Sequence, residues 1–169
     1  MFGSATVPFR DQRRHTLALI DTVLGSGMSS RLFQRVREEL GLAYAVYSFQ
    51  HFNRDSGSLG VYVGTAPESA GQATDVIRAE LARLAAEGLP ADEIAQGKGQ
   101  LKGQITLSLE GVSSRMYRAA GVELYGEEFR PLDRVLAEVD AITPDDVAAA
   151  CAEFYAPERQ TVLSLGPRP

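Results

Sequence analysis

The chain is poor in the residues that make metal and thiol chemistry. Its 169 residues include one cysteine and two histidines. A lone cysteine excludes an intrachain disulfide, and Cys151, set among Ala148, Ala149, Ala150 and Ala152, reads as a small buried helix residue. His15 and His51 lie far apart, and neither has a second histidine three or four residues away. Neither therefore belongs to an H-x-x-E-H helix, whose two histidines share one face and whose glutamate is a general base. His15 reads as a residue of the solvated first turns of a helix and His51 as one at the far end of a strand. No metal site is expected on this chain.

Basic charge is not in excess either: 17 Lys plus Arg stand against 22 Asp plus Glu, a net charge of −5. That argues against nucleic acid as the main partner, because phosphate binding relies on clustered positive charge. No run of about eighteen apolar residues exists, so no membrane span is expected. The opening Met1-Phe2-Gly3-Ser4-Ala5-Thr6 lacks the basic start and apolar stretch of a signal peptide. The expected location is cytoplasmic, or periplasmic if a targeting segment has been lost.

What is present suits one domain over residues 1–169, long enough to bury a core without staples. Gln12 to Leu24 has Leu17, Ile20 and Leu24 at helical spacing, with Asp11 as a candidate N-cap. Gly25-Ser26-Gly27 breaks that helix. Ser29 or Ser30 can cap the next, whose apolar side is Leu32, Phe33, Val36 and Leu40, and Gly41 stops it. Ala43 to Phe52 and Ser58 to Thr65 alternate as strands around the loop Asn53-Arg54-Asp55-Ser56-Gly57. Helices are predicted from Pro67 to Ala85, from about Ala91, from Ser113 to about Tyr125, from Pro131 to Val139 and from Thr143 to Phe154, with Thr161 to Leu165 as a closing strand. Gly97, Gly99 and Gly103 each cost a helix about 1 kcal/mol against alanine, which implies close packing or irregularity there. The order indicates an α+β fold, an antiparallel-rich mixed sheet with helices packed on one face.

Arg37 and Tyr44 are the main candidates for function. Arg37 falls in the last turn of the second helix and Tyr44 at the start of the following strand, joined by one tight turn at Gly41. A planar guanidinium and a phenol placed this way can hold a carbonyl or a developing oxyanion. A plainer account also fits, since cations favour helix C-termini and tyrosine is a common strand residue.

The string Leu24-Gly25-Ser26-Gly27-Met28-Ser29-Ser30-Arg31-Leu32-Phe33, with Arg37-Glu38 and Gly41-Leu42-Ala43-Tyr44, resembles the C-terminal domain of pitrilysin/insulinase-type zinc metallopeptidases. That family includes the mitochondrial processing peptidases. The resemblance runs from about Phe9 to about Gly166 and is densest over residues 24–47. It implies that Arg37 and Tyr44 reach across to a zinc site on another domain and bind substrate there. Zinc, absent from this chain's motifs, would then lie on a homologous partner domain or subunit. It also implies a strand before residue 9, most of which the start at Met1 would remove, leaving an edge open to pairing with a second copy. Pro8 is a possible blocker of such an edge.

Other features carry less. Gly25, Gly27, Ser29 and Ser30 form a glycine–serine loop before a helix, best read as flexible backbone beside substrate. No strand precedes it and no Lys-Ser/Thr follows, which excludes a P-loop. Gly27-Met28-Ser29-Ser30-Arg31 lacks the second glycine of a nucleophile elbow. Glu38 and Glu39, adjacent on a helix, point in different directions. Ser-Ser-Arg-apolar-aromatic recurs at 29–33 and 113–117 and reads as two capped helix starts. Two functions remain: a peptidase component that binds peptide and completes a zinc active site, and a non-catalytic assembly domain similar to respiratory-complex core subunits.

Overall fold

The computed structural model describes residues 1–166. Four strands form one sheet: β1 (Phe2–Thr6), β2 (Ala45–Phe52), β3 (Gly57–Gly64) and β4 (Thr161–Val162), in the order β2-β3-β1-β4. Every pairing is antiparallel. β2 and β3 are a hairpin in register from Ala45↔Gly64 to Phe52↔Gly57, closed by the Asn53 N–H donating to the Ser56 carbonyl at 2.8 Å. The expectation that the first strand leaves an open edge is corrected here. β1 pairs over five residues with β3 and also with β4, so it is an interior strand, and the open edges belong to β2 and β4.

The helices are α1 (Arg13–Gly25), α2 (Ala70–Glu87), α3 (Ala91–Ser108), α4 (Val112–Tyr125), α5 (Leu132–Asp140) and α6 (Pro144–Phe154). Alternation of side chains along the strands decides which face they cover. Phe2, Val46, Leu59 and Val61 point to one face and are buried with Leu17, Ile20 and Leu24 of α1 and Val147 and Phe154 of α6. The opposite face carries Tyr47, Phe49, Tyr62 and glycine; Tyr47 and Tyr62 stack at 5.1 Å, and Tyr47 remains 46% exposed. Helices on one face of an antiparallel sheet are what the order of elements implied.

Local signals account for most boundaries. Thr143 caps α6 in a reciprocal box with Asp146, with Pro144 at N1. The Asp11 carboxylate accepts the Arg13 N–H at 2.9 Å, serving the start of α1 although Gln12 stands at the formal cap position. Gly97 is where α3 meets α1: a Cβ there would lie 2.7 Å from Val23 Cγ2 and 2.9 Å from Leu19 Cδ1. Gly99 and Gly103 have open space around them, and α3 runs through them without a break. Cys151 is fully buried, and burial pushes its thiol up to about 12. α4 differs from the rest, since none of its residues is buried. Val112, Met116, Tyr117 and Leu124 stay largely exposed, and the helix is tied to the body mainly at its C-terminal end. There Arg10 donates to the Tyr125 and Gly126 carbonyls and Phe9 stacks on Tyr125 at 4.1 Å.

Candidate functional site

The second helix of the sequence reading is not an α-helix throughout. Phe33–Glu39 is a seven-residue π-helix, a widened turn that is rare and concentrates at functional sites. Its closure is one residue wider than the usual glycine cap: the Leu42 N–H donates to the Val36 carbonyl at 2.9 Å, with Gly41 in the left-handed region at φ 60°. Leu32 and Val36 are fully buried and anchor one side of the turn, leaving Arg37 on the outside.

Arg37 stands in the last π-helical turn with its side chain 46% exposed. Its guanidinium lies over the Phe33 ring, 4.9 Å from the centroid, and its Nε is 3.9 Å from Glu38, so no carboxylate grips it closely. Tyr44 sits immediately before β2, 71% exposed. Its N–H donates to the Gly64 carbonyl at 3.1 Å, and its ring lies over Gly64, where a Cβ would come within 2.7 Å of Tyr44 Cζ. The hydroxyl has no hydrogen-bond partner among the described residues. The backbone around Tyr44 is thus held while its phenol is left free, which the plainer account of a packed strand tyrosine does not predict.

The four loop residues divide. Gly25 and Ser30 are buried. A Cβ on Gly25 would lie 2.2 Å from the Ser48 nitrogen, and the Ser30 hydroxyl donates to the Gly27 carbonyl at 2.6 Å. The expected serine cap is therefore corrected: the Ser30 side chain donates back into the loop and no side chain caps the π-helix start. Gly27, at φ 110°, and Ser29 are exposed.

Arg31 is the residue that sequence reasoning passed over. Its guanidinium binds Glu93 of α3 through Nε at 2.7 Å and Nη2 at 3.1 Å, and Glu80 of α2 through Nη1 at 3.2 Å. Burial alone would lower its pKa, and the two carboxylates outweigh that and raise it. Arg83 also grips Glu80 at 2.8 Å. A cleft of about 560 Å³ opens here, lined by Arg31, Gln34, Arg35, Val76, Glu80 and Arg83; neither Arg37 nor Tyr44 lines it. The only hint of this in the sequence was the Ser-Ser-Arg string, whose arginine finds its partners 49 and 62 residues away.

His15 is also corrected. It is not solvated: its side chain is 17% exposed, with Nε2 3.3 Å from Glu138 in a network that joins Arg14, Glu127 and Arg130. Burial, helped by Arg14, lowers its pKa. His51 is exposed with its ring centroid 5.7 Å from that of Phe49. The two histidines do not converge, and the described residues contain no group of three or more His, Cys, Asp or Glu placed to hold a metal. The residues present do not fit zinc.

Comparison with known proteins gives this arrangement its context. Residues 1–101 match the peptidase M16 inactive domain. The chain belongs to that family. An uncharacterised zinc protease of Streptomyces coelicolor is 41% identical over 157 residues, covering 93% of this chain and 34% of the relative. One from Bacillus subtilis is 38% identical over 144 residues, covering 85% and 35%. The chain spans about a third of the length of these curated relatives. Among solved structures, a protease from Helicobacter pylori superposes with a TM-score of 0.84 at 19% identity, covering 94% of this chain and 38% of that one. A chain of complex III2 from Candida albicans gives 0.80 at 17%, covering 90% and 39%. At such identities these structures establish the M16 inactive-domain fold. No helix among the described residues is long and apolar enough to cross a membrane.

Proposed function

We propose that this M16 inactive domain is the substrate-holding wall of a zinc metalloendopeptidase, acting on peptides when a homologous zinc-bearing domain or subunit closes over it. The observation that carries this reading is the pair Arg37 and Tyr44, each presented to solvent on a backbone fixed by buried neighbours and neither spent on the fold. The metal and the general base for hydrolysis belong to the partner domain. On this chain, the Tyr44 hydroxyl donates to the carbonyl of the bond being cut, and the Arg37 guanidinium steadies the peptide backbone and the charge that develops on oxygen. Gly27 and Ser29 give the adjoining loop room beside the chain of the substrate. The exposed apolar side of α4 supports the need for a partner, because Val112, Met116, Tyr117 and Leu124 find nothing to pack on within the domain.

A scaffold role is the second reading, favoured by the likeness to a chain of complex III2. The two separate cleanly in an enzyme reconstituted with a zinc-bearing partner. Tyr44→Phe and Arg37→Ala are expected to lower turnover about 100- to 1000-fold each, the usual effect of losing an oxyanion donor. Zinc content should not move, and stability should fall by no more than about 1 kcal/mol. Normal turnover in both variants would leave the scaffold reading standing alone.

A further inference from the structure

Gly64, the last residue of β3, is a glycine for which its own backbone gives no reason. Gly27, Gly41, Gly88 and Gly126 occupy the positive-φ region, and Gly64 does not. Its backbone would therefore accept a side chain. A bare Cα in a strand also costs the fold, since glycine loses the most freedom on folding and offers nothing to pack. Gly60, on the same face of β3 by alternation, shows what a structural glycine looks like. A Cβ there would run into the Phe2 carbonyl oxygen of β1 as well as Phe49 Cζ. At Gly64 the three heavy atoms nearest to a Cβ all belong to one side chain, Tyr44, with Cζ at 2.7 Å, the hydroxyl oxygen at 2.8 Å and Cε2 at 3.0 Å.

The chain that carries this ring is fixed on both sides. The Tyr44 N–H donates to the Gly64 carbonyl at 3.1 Å, the Thr65 hydroxyl donates to the Leu42 carbonyl at 2.5 Å, and Ala43 between them is buried. A phenol on a fixed Cα still has two free torsions, and a swing between staggered χ1 wells carries its hydroxyl several ångströms. The contact with Gly64 restricts that freedom. The ring lies in the gap where a side chain would stand, and the hydroxyl comes to rest over β3 while Tyr44 as a whole stays exposed.

We propose that Gly64 is a positioning residue for Tyr44: its missing side chain is a notch that seats the phenol and fixes where the free hydroxyl stands. For its effect on turnover the inference rests on the peptidase reading above; the seat itself is a property of this chain. An oxyanion donor acts from about 2.7–3.1 Å, and a displacement of about 1 Å can cost about 100-fold in rate. Gly64→Ala adds one methyl group, and the atoms it meets are the far end of a flexible side chain, so the fold yields by moving the ring and not β3.

A 3-fluorotyrosine in place of Tyr44 reports the seat by fluorine NMR on the full chain. The native resonance is expected apart from that of the urea-unfolded chain, and Gly64→Ala is expected to move it most of the way to the unfolded position. Gly71→Ala, whose Cβ meets nothing within 4 Å, should leave it in place. In the enzyme reconstituted with a zinc-bearing partner, Gly64→Ala should lower kcat about 10- to 100-fold with KM and zinc content little changed. It should lower kcat no further in the Tyr44→Phe background. Its Tm should equal or exceed the parent's, because alanine is the less costly residue in a strand. A fluorine resonance unmoved by Gly64→Ala, a parental kcat, the same fold loss with and without the Tyr44 hydroxyl, or a Tm clearly below the parent's would each overturn the proposal. Normal turnover of Tyr44→Phe would instead overturn the peptidase reading, and the fluorine resonance would then decide the seat by itself.

Discussion

Arg31 and Arg37 lie on the same short helical stretch, and the structure assigns them opposite duties that a stability measurement can tell apart. Replacing Arg31 by methionine keeps most of the aliphatic stem and removes three charged hydrogen bonds, two to Glu93 and one to Glu80. Hydrogen bonds to charged groups contribute about 1.5–3 kcal/mol each, and breaking a buried pair costs about 3–5 kcal/mol. Here the loss is tempered, because Glu80 keeps Arg83 and the Glu93 side chain is 32% exposed and regains water. About 3 kcal/mol is the resulting expectation, or roughly 6–12 °C in Tm for a domain of this size. Arg37→Ala gives up only a distant carboxylate and a half-exposed stack on Phe33, about 0.5–1 kcal/mol. Urea unfolding of both variants, with Glu93→Gln and the Arg31/Glu93 double variant closing a cycle, measures the difference. A loss below about 1 kcal/mol for Arg31→Met, or zero coupling to Glu93, would refute the assignment of Arg31 as the tie between the π-helix, α2 and α3.

Four further substitutions test other contacts in the fold. Gly25→Ala should destabilise by about 2 kcal/mol or more, because its Cβ meets the backbone of β2; Gly103→Ala, in open space on α3, should stabilise by about 1 kcal/mol, and chemical denaturation reads both. Burial pushes the Asp21 carboxyl above its ordinary 3.8, with the Ser48 hydroxyl pulling the other way. The folded state therefore holds this proton more tightly than the unfolded chain, and stability is lost as pH rises from about 3.8 through the raised value. Asp21→Asn should raise Tm at neutral pH and flatten that part of a Tm-against-pH curve; an unchanged curve would contradict the burial argument. Thr143→Ala, which dismantles the reciprocal cap of α6, should cost about 1 kcal/mol in the same urea assay.

Much of the fold was legible because its determinants are local. Gly41 at positive φ, the Asn53–Gly57 connection, the Thr143-Pro144-Asp145-Asp146 start and the helical spacing of Leu17, Ile20 and Leu24 each act within a few residues, and each stands where the sequence put it. What was not legible depends on partners distant in the chain. His15 looked solvated because Glu138, which approaches its ring, comes from α5. Ser30 looked like a cap because nothing nearby shows that the chain turns back to offer the Gly27 carbonyl. The widening of the helix over Phe33–Glu39 has no propensity signal. The place of β1 in the middle of the sheet depends on β3 and β4, which follow it by more than fifty and a hundred and fifty residues.

The same division runs through the site. The identity of Arg37 and Tyr44 could be read from the motif, but not that the fold leaves Arg37 half-exposed and the Tyr44 hydroxyl without a partner among the described residues. Arg31, in the same motif and of the same type as Arg37, is consumed by two carboxylates and contributes architecture. That contrast gives the motif a physical sense. Arg31 ties the turn to α2 and α3, Leu32 and Val36 plug it into the core, Gly41 reverses the chain, and Tyr44 is carried, exposed, to the head of β2. A scaffold needs the first three of these. The fourth, together with an exposed guanidinium on the same short stretch of chain, is what the proposed peptide-holding role would add.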